Sequence, residues 1–129
     1  MPPESDSGYR CIALEQDADA PAAARRALRG WLPDLPAKVQ EAALITVTEL
    51  VVNAVRFGAP PIEVCVSVAP DLLVLVVSDE GEGRPRRRVP AEDGGIGLNL
   101  VYLLADRVAI EDGRSRIRCE FGTTAKQPE

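Results

Sequence analysis

The chain has 129 residues, with 15 Lys and Arg against 20 Asp and Glu and no histidine. This length fits one domain with its own hydrophobic core, and the absence of histidine excludes Ser-His-Asp and Cys-His catalysis and His-ligated zinc. The net charge of −5 argues against a dedicated nucleic-acid-binding protein, because neutralising phosphates requires a basic surface.

The first half of the chain predicts one strand followed by two helices. Residues 1–9 are rich in Pro, Ser and acids and are expected to be flexible. A short apolar run predicts a strand over 10–16, and an Asp cap followed by a Pro predicts a helix over 19–32. A second, longer helix is predicted over 37–57, closed by Gly58.

The second half changes to the periodicity of strands. Strands are predicted over 62–68, 72–78, 107–112 and 116–121, and a helix over 98–105. A long loop rich in Gly, Pro and Arg is predicted over 79–97, a length typical of functional or disordered segments. The pattern predicts an α+β fold: a two-layer sandwich with a mixed, mostly antiparallel sheet and helices on one face. This domain is expected to span 10–122, followed by a flexible tail over 123–129.

The cysteines and the chain's first residues indicate a reduced, cytoplasmic protein. Cys11, Cys65 and Cys119 are far apart and each lies in an apolar stretch, so we expect three small core residues with free thiols. The first residues lack the features of a signal peptide. No apolar run is long enough to cross a membrane, so no membrane partner is expected.

The long helix carries polar residues in one stripe. Thr46, Glu49, Asn53 and Arg56 follow one another at spacings of three, four and three. One interpretation is the solvent face of an amphipathic helix. The other is a site in which the Glu49 carboxylate accepts a proton beside an Asn53 oxygen that binds magnesium.

Two glycine-rich segments are further candidates. Asp79 follows an apolar strand and precedes Gly81 and Gly83, which would let a ligand approach the backbone, although Asp and Gly are also common in ordinary turns. Gly95 and Gly97 precede a helix, whose amino terminus favours phosphate. This segment fits neither a dinucleotide fingerprint nor a P-loop, and a GxG alone is weak evidence.

Taken together, the three segments resemble the GHKL superfamily of nucleotide-binding domains, which have the Bergerat, or histidine-kinase-like ATPase, fold. The sequence segments TELVVNAVRFG, VSDEGEG and GGIGLNLVYLLADR are most similar to those of the RsbW-like anti-sigma-factor serine/threonine kinases. The resemblance covers about residues 10 to 121. A histidine kinase as a whole is excluded, since its phosphoacceptor histidine and helical domain are absent.

The resemblance implies a role for each matching residue. Glu49 matches the general base, Asn53 the magnesium ligand, and Asp79 the acceptor of a hydrogen bond from the adenine amino group. The remaining matches concern the nucleotide pocket: Gly81 and Gly83 on its adenine side, Gly95, Gly97 and Leu98 on its phosphate side, and Ser115 near a threonine of the family's next-to-last strand. ATP and Mg²⁺ are the cofactors that the resemblance implies.

The function implied is that of an ATP-dependent serine/threonine kinase that phosphorylates an anti-sigma antagonist and also binds a sigma factor. The alternative is a nucleotide-binding module that sequesters a partner without significant catalysis. Dimers are common among the kinases that the chain resembles, so a homodimer is one expected assembly. The run from Arg84 to Arg88 is either a solvated basic patch or a lid over the triphosphate.

Overall fold

A computed structural model describes residues 9–81, 95–111 and 115–123. The side chains of 95–98 lie outside this description. Among the described residues, no helix combines the length and the apolar character needed to cross a membrane.

The order of the elements is the one that the sequence predicts. The strands are β1 (Arg10–Leu14), β2 (Ile62–Ala69), β3 (Leu72–Ser78), β4 (Arg107–Glu111) and β5 (Arg116–Gly122). The helices are α1 (Ala20–Trp31), α2 (Ala37–Phe57) and α3 (Gly95–Leu104). Helix α3 begins three residues earlier than predicted, because the glycines that were expected to end the loop lie in its first turn.

The five strands form one sheet in the order β1-β2-β3-β5-β4. All four pairings among the described residues are antiparallel, with Val64 opposite Val77 and Leu75 opposite Cys119. Helices α1, α2 and α3 pack side by side and contact the inner face of the sheet. The prediction of an α+β sandwich with a mostly antiparallel sheet and helices on one face is therefore confirmed.

The core lies between α1, α2 and the inner face of β2, β3 and β5. Alternate residues of β2 and β3 are buried and their neighbours are half-buried or exposed, as expected when one face of a sheet is covered. The largest fully buried side chains include Leu28, Leu50, Leu73 and Leu75. Helix α2 packs against this core. Its stripe of polar residues lies in the carboxyl-terminal half of the helix, which ends at one end of the sheet.

The prediction of three free core cysteines holds only for Cys119, which is buried with a free thiol. Cys11 and Cys65 form a disulfide between β1 and β2. They lie directly opposite each other, at positions that alternate with the buried Val64 and Val66. An apolar stretch in a strand supplies only every second residue to the core, and these two cysteines belong to the outer set.

Candidate functional site

The polar stripe of α2 follows the border between the core and the solvent. Glu49 and Asn53 are half-buried, and Arg56 is exposed with its guanidinium 5.3 Å from the centre of the Phe57 ring. Thr46, which was expected to share this stripe, is fully buried. The spacing still places Thr46 in the stripe, but its burial contradicts the interpretation of the stripe as a solvent face at this position.

The buried Thr46 hydroxyl has no hydrogen-bond partner among the described residues. Thr48 lies off the stripe. Its hydroxyl donates to the Leu44 carbonyl at 2.7 Å and accepts a hydrogen bond from Arg25 of α1 at 3.2 Å. Within the stripe, the half-buried oxygen-bearing side chains are therefore those of Glu49 and Asn53, which project from one side of the helix at i and i+4.

Helix α2 ends where the sequence predicts, at Gly58. The Gly58 amide donates to the Ala54 carbonyl at 2.8 Å, and its φ of −98° is open to any residue. A methyl group at Gly58 would overlap the carboxylate of Asp79 and stand 2.8 Å from the Ala54 carbonyl oxygen. Glycine is therefore required here for space rather than for backbone conformation.

The Asp79 side chain connects the end of β3 to the end of α2 through hydrogen bonds. Its Oδ1 accepts hydrogen bonds from the Gly81 amide at 2.7 Å and from the Ala59 amide at 3.3 Å. The amide of Glu80 donates to the Ala59 carbonyl at 2.9 Å. These bonds hold Asp79 half-buried at the carboxyl end of a central strand, a position from which its carboxylate can meet a ligand.

Ser115 also reaches Asp79, although through its backbone. The Asp79 amide donates to the Ser115 carbonyl at 2.8 Å, one step beyond the pairing of Ser78 with Arg116. Ser115 is 7% exposed. We call Gly58, Ala59, Asp79, Gly81 and Ser115 the Asp79 cluster. It joins three segments that are far apart in the sequence, two of which were predicted site segments.

Gln16 is a residue of this end of the sheet that the sequence analysis missed. It follows β1, and its Nε2 donates to the carbonyls of Gly58 at 2.8 Å and Val55 at 3.0 Å, with a longer contact of 3.5 Å to Ala54. The Val55 and Gly58 carbonyls lie at the end of α2, where the helix cannot satisfy them internally, whereas the Ala54 carbonyl also accepts the Gly58 amide. A glutamine after a short strand has no local signature for this role, because its partners lie about 40 residues away.

The predicted phosphate side of the site is described in part. Gly95, Gly97 and Leu98 lie in the first turn of α3, and α3 packs against α2. Gly83 and the run from Arg84 to Arg88 lie outside the described residues. The structure thus brings the α2 and α3 segments together as neighbouring helices, with the Asp79 cluster at the carboxyl end of α2.

The side chains of this region suit a magnesium nucleotide. Glu49 and Asn53 offer carboxylate and amide oxygens, the hard ligands that Mg²⁺ prefers, on a half-buried surface. The end of β3 supplies a fixed carboxylate that could receive a hydrogen bond from a base. On the stripe of α2, Asn53 and Glu49 are the residues that would hold the ion.

A concave surface lies at the opposite end of the sheet. We call it the far groove; it has a volume of about 600 Å³ and lies between residues 31–35, which connect α1 to α2, and residues 67–70 at the end of β2. Trp31 and Asp34 are among its lining residues. None of the predicted site residues that the structure describes lines it.

Comparisons with known proteins agree with this fold. Residues 14–121 match the family model described as a histidine kinase-like ATPase domain. A search of curated proteins found no match. The chain is similar in structure to the RsbU and RsbW domains of Rv1364c from Mycobacterium tuberculosis, with a TM-score of 0.67, 21% identity and coverage of 93% of this chain. It spans about a third, 33%, of that solved chain, and at this identity the likeness concerns the fold.

Proposed function

The chain belongs to the histidine kinase-like ATPase domain family, and on that premise we propose that it binds ATP with Mg²⁺ at the Asp79 end of the sheet. We further propose that it transfers the γ-phosphate to a serine or threonine of a partner protein. The observation that carries the proposal is the Asp79 cluster, in which a carboxylate at the end of β3 is held against the end of the helix that bears Glu49 and Asn53.

The adenine side of the proposed site depends on Asp79. Its Oδ1 is occupied by the amides of Ala59 and Gly81, which fix the plane and direction of the carboxylate. A carboxylate held in this way accepts a hydrogen bond from an exocyclic amino group without first losing rotational freedom. The absence of a side chain at Gly58 leaves the carboxylate in place, since a methyl group there would displace it.

The phosphate side of the proposed site depends on α2 and the start of α3. Asn53 would hold Mg²⁺ through its amide oxygen, and the bound ion would neutralise charge on the transferred phosphate. Glu49, one turn earlier on the same side, would accept the proton of the attacking hydroxyl group. The amides in the first turn of α3 would face the phosphates, as helix amino termini do for anions.

The second part of the proposal concerns the protein that this domain binds. The sequence resemblance to the RsbW-like kinases, carried by Glu49, Asn53 and Asp79, supports a sigma factor and its antagonist as partners and a cytoplasmic location. Tyr102 and Leu103 of α3 are 51% and 81% exposed. Such apolar side chains on the surface favour a second candidate function, in which the protein binds a partner without transferring phosphate.

A phosphorylation assay separates the two functions. The protein would be incubated with ATP labelled at the γ-phosphate, Mg²⁺ and a candidate antagonist, as wild type, Glu49→Gln and Asn53→Ala. The kinase proposal expects label on the partner with wild type and its loss in Glu49→Gln, while Glu49→Gln still binds ATP. Tight binding of the partner without label in any sample would contradict the kinase and support the binding module.

A further inference from the structure

The outer face of the sheet, away from the helices, carries a group of side chains that the proposed function does not use. Cys11 and Cys65 lie opposite each other on β1 and β2, and Glu63 lies two residues before Cys65. One ligand atom from each of the three, the two sulfurs and a carboxylate oxygen, lies within 4.8 Å of the others. From this arrangement we propose that the reduced form of the protein binds a thiophilic divalent cation, of which Zn²⁺ is the type, through Cys11, Cys65 and Glu63.

The register of the strands creates the site. In a strand, residues i and i+2 point to the same face, so Glu63 and Cys65 both project outward. Cys11 is the direct partner of Cys65 across the ladder. The three candidate ligands lie on two paired strands, so no loop has to close around an ion. Once the S–S bond is reduced, rotation of the two cysteine side chains would place both sulfurs on the metal.

The donor set selects the kind of cation. Two thiolates favour a soft or borderline metal over Mg²⁺ or Ca²⁺, and Zn²⁺ accepts Cys sulfur and Glu oxygen together. Cys11 and Glu63 are exposed and Cys65 is half-buried, so water can supply a fourth ligand. Among the described residues, the Glu63 carboxylate has no hydrogen-bond or ion-pair partner, so it is available to the ion.

The disulfide and the metal exclude each other. Reduction by a dithiol transfers two electrons and two protons to the S–S bond, giving two protein thiols while the dithiol becomes a disulfide. Binding Zn²⁺ then releases the two thiol protons and forms two sulfur–metal bonds. The third cysteine does not compete, because burial raises the pKa of the Cys119 thiol to about 12 and it faces the core.

Whether Cys11 and Cys65 form a disulfide, bind a metal or are free thiols affects how the edge strand β1 is attached to the sheet. Strand β1 pairs only with β2 in the described sheet, and Gln16, two residues after β1, holds the end of α2. Either the disulfide or the metal would fasten β1 to β2, whereas the free dithiol would leave the strand held by its ladder alone. The inference does not depend on the proposed kinase function.

A metal titration of the full chain tests the proposal. Wild-type protein is compared in its oxidised form and after reduction and anaerobic desalting, with Zn²⁺ titrated against a chromogenic chelator. We expect one Zn²⁺ per reduced chain and none per oxidised chain. With Co²⁺ in place of Zn²⁺, the reduced protein should show a thiolate-to-metal charge-transfer band that the oxidised protein lacks.

Variants identify the ligands. Cys65→Ser should abolish tight binding, and Glu63→Gln should weaken it by roughly tenfold or more, as losses around metal sites do. The matched control is Glu111→Gln, which removes a carboxylate from the same face of the sheet. The native Glu111 carboxylate pairs with Arg116 at 2.9 Å, so this variant should bind Zn²⁺ as wild type does. The proposal is overturned if reduced wild type binds Zn²⁺ no better than Cys65→Ser, or if Glu63→Gln and Glu111→Gln bind equally.

Discussion

The two ends of the sheet differ in how they are built. At one end, the Asp79 cluster joins α2, β3 and the start of β5 through hydrogen bonds of 2.7 to 3.3 Å. At the other end, the far groove offers an open volume of about 600 Å³ but none of the predicted site residues. The far groove thus has room for a ligand, whereas the Asp79 end has fixed polar groups that could recognise one.

Each end has a glutamine side chain that donates to backbone carbonyls, Gln16 to the end of α2 and Gln40 to the connection between α1 and α2. Gln16 donates to the Gly58 carbonyl at 2.8 Å, and Gln40 donates to the Leu35 carbonyl at 2.8 Å. Each bond satisfies a carbonyl outside the regular ladder of a helix or strand. Only the first lies beside Asp79, so the same chemical change at the two positions should have different consequences for ligand binding.

The largest effect is expected from filling the space beside Asp79. Gly58→Ala should lower the free energy of unfolding by about 1–3 kcal/mol, because the methyl group overlaps the Asp79 carboxylate and both must shift. The affinity for ATP should fall as well. Urea denaturation and calorimetric titration measure the two effects.

The matched control is Gly30→Ala in α1, where an added methyl group meets nothing within 4 Å. It should leave ATP binding unchanged and stabilise the helix by up to about 1 kcal/mol. Equal loss of stability in both variants would show that Gly58 is not packed against Asp79 as described.

The second prediction concerns stability and ATP affinity after replacement of Gln16 or Gln40. Gln16→Met and Gln40→Met should each lower the free energy of unfolding by about 1 kcal/mol, the usual net contribution of a hydrogen bond. Only Gln16→Met should also weaken ATP binding, because it releases the carbonyls of Val55 and Gly58. A loss of affinity in Gln40→Met alone would move the ligand site to the far groove.

The third effect concerns the middle of α2, between the two ends, and is confined to stability. Thr46→Val should raise the free energy of unfolding by about 1 kcal/mol, because it replaces a buried hydroxyl that has no partner among the described residues. ATP affinity should not change. Thermal unfolding measures the gain; a lower midpoint would mean that the hydroxyl makes a hydrogen bond in solution.

The sequence was informative where local signals were strong. Strand β3 and helix α2 have the predicted bounds, because an apolar run and a capping glycine mark them. The order of elements and the resemblance carried by Glu49, Asn53 and Asp79 were sufficient to predict the fold. The individual roles of these residues stay predictions until ATP binding is measured.

The structural features that the sequence did not predict depend on tertiary contacts, which no local sequence pattern encodes. The pairing of Cys11 with Cys65 follows from strand register, and the contacts of Gln16 follow from tertiary packing. Thr46 was misassigned because spacing along a helix gives a direction but not the width of the buried face. The tight contact of Gly58 with Asp79 links positions 21 residues apart and appears only in the folded chain.

The decisive measurement is calorimetric titration of ATP and Mg²⁺ into wild type, Asp79→Asn and Asp34→Asn. In Asp79→Asn, the side-chain amide oxygen can still accept from Ala59 and Gly81, but the charge proposed to meet the adenine amino group is lost. We expect wild type to bind and Asp79→Asn to lose about 1.5–3 kcal/mol of binding free energy. Asp34→Asn, which makes the same change in the far groove, should bind as wild type. Unchanged binding in Asp79→Asn, or no binding by wild type, would contradict the proposed nucleotide site.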